Sequence, residues 1–155
     1  YESIADKFKD NTLTSNFGEY YYLGKCIERK SLKLLPKLGS YLDWIICGYG
    51  ERPFFCIFSA LGIIIIFSFL YLITGIDTDG RTILYTFSNM YTWNISKFIR
   101  DFNEALNLSV GMFAGVGIDN GKPTEIGYLV ANLEMLIGIV LMGVGVGTLV
   151  RKVIR

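Results

Sequence analysis

Residues 96–118 read SKFIRDFNEALNLSVGMFAGVGI, and the fold turns on how this stretch is taken. Its first part sets Phe98, Phe102, Ala105, Leu106 and Ser109 at i, i+3 and i+4 spacing, with Ser96 placed to cap them. That pattern predicts an amphipathic helix of about three turns over residues 96–111. Directly after it comes Gly115-Val116-Gly117, and then the polar turn DNGKPTE at residues 119–125. A short helix running into Gly-X-Gly is either a flexible connector or a backbone site that handles an ion or a phosphate, and the flanking segments decide.

Both flanks are apolar. Residues 53–75, PFFCIFSALGIIIIFSFLYLITG, carry no charge, and residues 126–150, IGYLVANLEMLIGIVLMGVGVGTLV, carry only Glu134. A bilayer-spanning helix needs about 20 apolar residues, and neither segment has the polar stripe of a soluble amphipathic helix. The chain has 155 residues, 52% of them hydrophobic and 15% aromatic, with a mean hydropathy of +0.41. One domain of this length with that balance belongs to the membrane class.

The order is therefore span, short helix, Gly-X-Gly, span, which predicts a re-entrant pore loop. Irregular backbone at membrane depth is tolerated only where protein buries it or water lines it. A selectivity filter aims successive carbonyls at one axis to replace an ion's hydration shell. In an ordinary strand carbonyls alternate, so some residues must take positive φ, which glycine does cheaply. The preceding helix directs its negative dipole end toward a cation.

Other chemistries are weaker. There is no histidine, which excludes imidazole acid–base work and histidine metal ligation. A net charge of +1 gives no nucleic-acid footprint. Cys26, Cys47 and Cys56 lack metal-site spacing and read as isolated thiols in a reducing compartment. GVGIDNGKPT departs from a phosphate loop in its glycine spacing and in Pro123, where Ser or Thr belongs. GVGVGT at residues 143–148 ends a span and lacks the strand–turn–helix unit of a dinucleotide site. No nucleophile–base pair stands out, so an enzyme is not expected.

Lys and Arg set the orientation. Lys7, Lys9, Lys25, Arg29, Lys30, Lys33, Lys37 and Arg52 precede the first span, and Arg151, Lys152 and Arg155 follow the second. The intervening loop has Arg81, Lys97, Arg100 and Lys122. The positive-inside rule places both termini in the cytoplasm of a multi-pass inner-membrane protein. Residues 1–50 are expected as a cytoplasmic helical connector. Trp44 and Tyr49 suit the interface, and RKSLKLLPKLG is either a run lying on anionic headgroups or a solvated face broken at Pro36. The opening at Tyr1 rather than Met leads us to expect an upstream cytoplasmic domain of the same polypeptide.

Residues 49–155 resemble the two-transmembrane pore domain of the potassium-channel superfamily, whose filter reads T-T-V-G-Y-G-D. Residues 112–118 fall on that motif and keep both glycines, while Met112, Phe113, Val116 and Ile118 replace the two threonines, the tyrosine and the acid. Gly127 and Glu134 match a Gly and a Glu common at the start of the second helix in prokaryotic members. DWIICGYGERP and FGEYYYLGKCIERK resemble the membrane entry and the connector of members that follow pentapeptide-repeat domains. An alternative register, Ser109-Val110-Gly111-Met112, echoes the filter less well.

The resemblance implies an all-α membrane protein with two transmembrane helices, a re-entrant pore helix and filter loop, preceded by a cytoplasmic helical segment. Two spans cannot enclose a conduit, so the pore is a homotetramer within the lipid bilayer. The filter is Phe113, Ala114, Gly115, Val116 and Gly117, supported by Met112, Ile118 and Glu134, about residues 112–118. With the threonines lost, the permeant monovalent cation is K+ or, without selectivity, K+ and Na+; no other cofactor or metal is implied. Asp119 and Glu125 stand at the outer mouth, where acids concentrate cations. Gly138, Gly143, Gly145 and Gly147 read as gate or hinge, or as small residues for close helix packing. Glu134, a carboxyl inside a span, is expected behind the filter, bonded to backbone of the pore helix or filter. The alternative function is a non-conducting anchor that oligomerises the upstream domain.

Overall fold

The computed structural model describes residues 3, 4, 7, 14–78, 80–85, 94–117 and 121–154. Helices dominate it: α1 is Thr14–Ser31, α2 Leu34–Cys47, α3 Pro53–Thr74, α4 Ile95–Phe113 and α5 Gly127–Ile154. The apolar segments of α3 and α5 are long enough to cross a membrane, and only 22% of each apolar window is buried within the chain. A soluble core helix of that composition would be mostly covered. Here Phe54, Phe58, Ile66, Leu129 and Leu136 are bare on the outside of the helices, as lipid-facing residues are.

The chain divides into two compact units, and the division runs through both long helices. One unit holds the N-terminal helices to Ser59 together with residues 141–155. Within it the Trp44 Nε1–H donates to the Tyr22 hydroxyl at 2.8 Å. The Arg29 guanidinium lies 4.4 Å from the Tyr41 ring and 4.8 Å from the Trp44 ring. Arg151 from the end of α5 pairs with Glu51 at 3.4 Å, so the start of α3 and the end of α5 meet here. Gly48, Tyr49 and Gly50 all take positive φ, between 55° and 77°. That left-handed turn costs a tyrosine about 1–2 kcal/mol, and the Tyr49 hydroxyl is held 2.8 Å from Ser40 Oγ. Pro36, a break in one of the two readings of this run, is the third residue of α2, where the Lys37 N–H still bonds the Lys33 carbonyl at 2.9 Å. Proline in a first turn removes a donor that has no helical partner anyway.

The second unit, residues 60–140, contains a feature that an all-α reading leaves out. Strands β1 (Ile76–Thr78), β2 (Arg81–Ile83) and β3 (Lys122–Pro123) form an antiparallel sheet in the order β2-β1-β3. Ile76 faces Pro123 and Asp77 faces Lys122, so the end of α3 is joined to the start of α5. Thr124 reinforces the join. Its hydroxyl donates to the Thr74 carbonyl at 2.7 Å and accepts from the Gly127 N–H at 3.3 Å, which also caps α5. Gly75, at φ 98°, has room only for hydrogen, since a Cβ there would stand 2.8 Å from Thr124 Cγ2.

Tyr71, Leu72, Ile76, Ala105, Leu108 and Ala131 form the core of this unit, with Phe98, Phe102 and Met112 packed against it. Helix α4 thus presents the expected face, although its centre is Leu108 and Ala105, with Leu106 at the rim. Asn94, not Ser96, is the cap: its side chain accepts from the Ser96 N–H at 3.1 Å. Asp101 is buried on this face and accepts from the Tyr85 hydroxyl at 2.7 Å. Burial, and next that bond to Asp101, push the Tyr85 hydroxyl up to about 12, so it keeps its proton and goes on donating throughout the neutral range.

Candidate functional site

The site begins where α4 stops. Helix ends leave four carbonyls without partners, and here the chain turns back so that those of Val110, Gly111 and Met112 are met. The N–H groups of Gly115 and Val116 donate to the carbonyls of Met112 and Gly111, each at 3.0 Å, and Gly117 follows to Gly111 at 3.1 Å. The 6→1 and 5→2 pair is a Schellman cap with Gly115 at the left-handed position. Gly115 has φ 72°, as that cap requires, and Gly117 has φ 72° as well. Among the described residues, no neighbouring atom lies where a Cβ would go at either one. Both are therefore glycine for conformation, not for space.

The result is a loop whose amides from 114 to 117 are all spent on the preceding helix, leaving its carbonyl side unengaged by those bonds. Ala114, Gly115 and Val116 are exposed in the single chain, Val116 to 83%.

Met112, expected to support the filter, and Phe113, expected as its first residue, both lie at the end of α4. They are helical because the cap at Gly115 lets α4 run two residues past the expected end at 111. The Phe113 carbonyl oxygen is directed at the chain's own α5: a Cβ on Gly138 would stand 2.2 Å from it. Gly138 is thus where α5 lets the end of α4 touch its backbone, a packing role beside the bending expected of it. The alternative register at Ser109 lies wholly inside α4. Ile118 and Asp119 lie outside the described residues. Glu125 is exposed in the turn that leads into α5.

Behind the loop, Glu134 is completely buried. The Tyr71 hydroxyl of α3 donates to its Oε2 at 2.6 Å, and the Ser109 hydroxyl of α4 bonds its Oε1. Its partners are therefore two side chains, not the backbone expected, and Tyr71 had no signal in the sequence. The network joins α3, α4 and α5. Ser109 Oγ also lies 2.9 Å from the Ile64 carbonyl, yet a serine hydroxyl carries one proton. An amide at 134 resolves that competition, since its NH2 donates to Ser109 and frees the serine proton for Ile64. Glu134→Gln is expected to melt at or above the wild-type temperature. Glu134→Leu, which strands the Tyr71 hydroxyl while Ser109 turns its proton to the Ile64 carbonyl, is expected to lose about 1–2 kcal/mol, the worth of one interhelical bond. Thermal unfolding of the purified protein in detergent checks both; equal losses in the two variants would remove the hydrogen-bonding role.

Of the remaining glycines, Gly143 and Gly147 have open space at the Cβ position, and Gly145 only an ordinary contact, 3.7 Å from Cys56 Cβ. All three lie within α5, as does Thr148, whose hydroxyl donates to the Gly145 carbonyl at 2.8 Å. No family model matches the chain, and no curated protein or solved structure matches it.

Proposed function

We propose that the chain forms a homotetrameric cation channel in the inner membrane, with α3 and α5 as its spans and α4 as the pore helix. Monovalent cations, K+ or K+ and Na+ without selectivity, pass along carbonyls of the loop from Ala114 to Gly117. The observation that carries this reading is the pair of glycines at φ 72° on either side of Val116. A helix cap needs one left-handed residue, which is Gly115. The second, Gly117, is what a backbone needs to keep turning its carbonyls to one side. Glu134, Tyr71 and Ser109 brace the helix behind the loop, and Glu125 stands at its outer mouth. Four copies around an axis would cover the bare Val116 and supply the ring that a two-span chain lacks.

A second reading has its own support. The Schellman cap accounts for Gly115 without any ion, so α3 and α5 would also serve as a non-conducting anchor that oligomerises an upstream domain. Ion flux from liposomes holding the purified protein, under opposed K+ and Na+ gradients, separates the two. A channel gives a reversal potential at or between the K+ equilibrium value and zero, unmoved by chloride replacement. No flux from a stable tetramer would sink the channel and leave the anchor.

A further inference from the structure

Helix α2 leaves one side bare. Leu34, Leu38, Leu42 and Ile45 recur at i, i+4, i+8 and i+11, with Leu35 beside them, and all five are exposed, Leu34 and Leu35 by more than 80%. At 100° per residue they fill one continuous face. The residues that bind the rest of the unit, Ser40 to Tyr49 and Trp44 to Tyr22, lie off that face. No charge interrupts it; Lys37 lies about 60° beyond Leu34 around the helix, and Lys33 is the extended residue immediately before it.

The depth of the helix is set by its contacts with the apolar segment of α3. Ser59 Oγ donates to the Ile45 carbonyl at 2.7 Å, and the Trp44 and Phe55 rings lie 6.2 Å apart. Ser59 is six residues beyond Pro53, where α3 begins, or about 9 Å along the axis at 1.5 Å per residue. The C-terminal end of α2 is therefore level with the second turn of a membrane span. Interfacial helices seat their apolar face about 5–10 Å into the headgroup and acyl boundary, which is the same depth.

We infer that α2 is an interfacial helix, its Leu34–Leu35–Leu38–Leu42–Ile45 face immersed in the lipid of an anionic leaflet, with Lys33 and Lys37 extended to the headgroup phosphates. Long lysine stems reach from an apolar surface to the polar layer, and cations there are attracted to an anionic leaflet. The inference requires only that α3 crosses the membrane, so it holds whether or not ions pass.

Spin labels on the full chain in nanodiscs test it. Single cysteines replace Leu38, Leu42 and, on the opposite side, Asp43, in a background carrying Cys26→Ser, Cys47→Ser and Cys56→Ser. Oxygen, which partitions into lipid, is expected to collide with the labels at 38 and 42 more than an aqueous nickel chelate does, and the order inverts at 43. Adding phosphatidylglycerol to phosphatidylcholine discs is expected to widen the difference, and Lys33→Glu with Lys37→Glu to abolish that widening. Nickel reaching 38 and 42 as freely as 43 would overturn the inference in favour of a solvated face. Labels shielded from both reagents would overturn it in favour of a protein cover, a second copy or an upstream domain. A response indifferent to phosphatidylglycerol would overturn the role of the two lysines.

Discussion

Alanine at Gly138 is expected to destabilise the protein by about 1–3 kcal/mol, the usual cost of forcing atoms into a filled space, and to reduce ion flux with it. The ground for this is a single approach. A Cβ built on Gly138 lies 2.2 Å from the Phe113 carbonyl oxygen and 3.0 Å from its carbon. Both obstacles are backbone, which has no rotamer to turn away, so either α5 retreats or the end of α4 is pushed. Phe113 is the last residue of α4 and the proposed conducting loop starts at the next one, so a displacement there is passed directly to Ala114 and Gly115. The same substitution at Gly143 or Gly147 meets nothing within the chain, and helix propensity alone favours it by up to about 1 kcal/mol. Melting temperatures and flux of the three variants, measured in parallel, are the check. Gly138→Ala as stable and as active as Gly143→Ala would mean that the two backbones do not meet. A loss at Gly143 or Gly147 that tracks with a weakened oligomer would place those glycines against a neighbouring subunit.

Much of this architecture is legible in the sequence, for reasons that differ from element to element. The long helices declare themselves because nothing charged interrupts residues 53–75 and only Glu134 interrupts residues 126–150; the observed starts, Pro53 and Gly127, differ from that reading by at most one residue. Helix α4 is visible through its 3.6-residue periodicity, yet its end is not. The glycine at 115 was read as the inside of a filter, whereas a left-handed glycine also caps a helix, and the cap draws Met112 and Phe113 into the helix. The sheet gave no signal, since a strand such as Ile76-Asp77-Thr78 is too short for alternation to be recognised. Glu134 announces that it needs a partner but not which one. Tyr71 lies 63 residues away, and only the packing of α3 against α5 within residues 60–140 brings its hydroxyl there. Pro36 is ambiguous for the opposite reason: a proline can mark a stop, and only its position in the first turn of α2 shows that it is tolerated.

Gly117→Ala is the substitution that divides the channel from the anchor, and it is expected to silence flux while leaving the fold intact. The two glycines of the loop look alike, both at φ 72°, but their obligations differ. Gly115 closes α4, so alanine there costs helix stability under either reading. Gly117 lies beyond the cap; its N–H bonds the Gly111 carbonyl, but the cap does not require its φ to be positive. An L-residue held left-handed costs about 1–2 kcal/mol, about 4–8 kcal/mol around a ring of four such loops. At 1.4 kcal/mol per tenfold, that corresponds to more than about a hundredfold loss of the conducting conformation. The fold has no comparable reason to suffer, because the space where the new methyl would go is empty and each loop can relax by turning residue 117 to negative φ. Flux from liposomes, read beside the melting temperature and oligomeric state of the same preparation, separates these effects. A stable, silent tetramer means that the left-handed backbone at 117 is held for conduction. Wild-type flux from the variant would mean that ions do not depend on this backbone, and the proposed permeation path along residues 114–117 would fall.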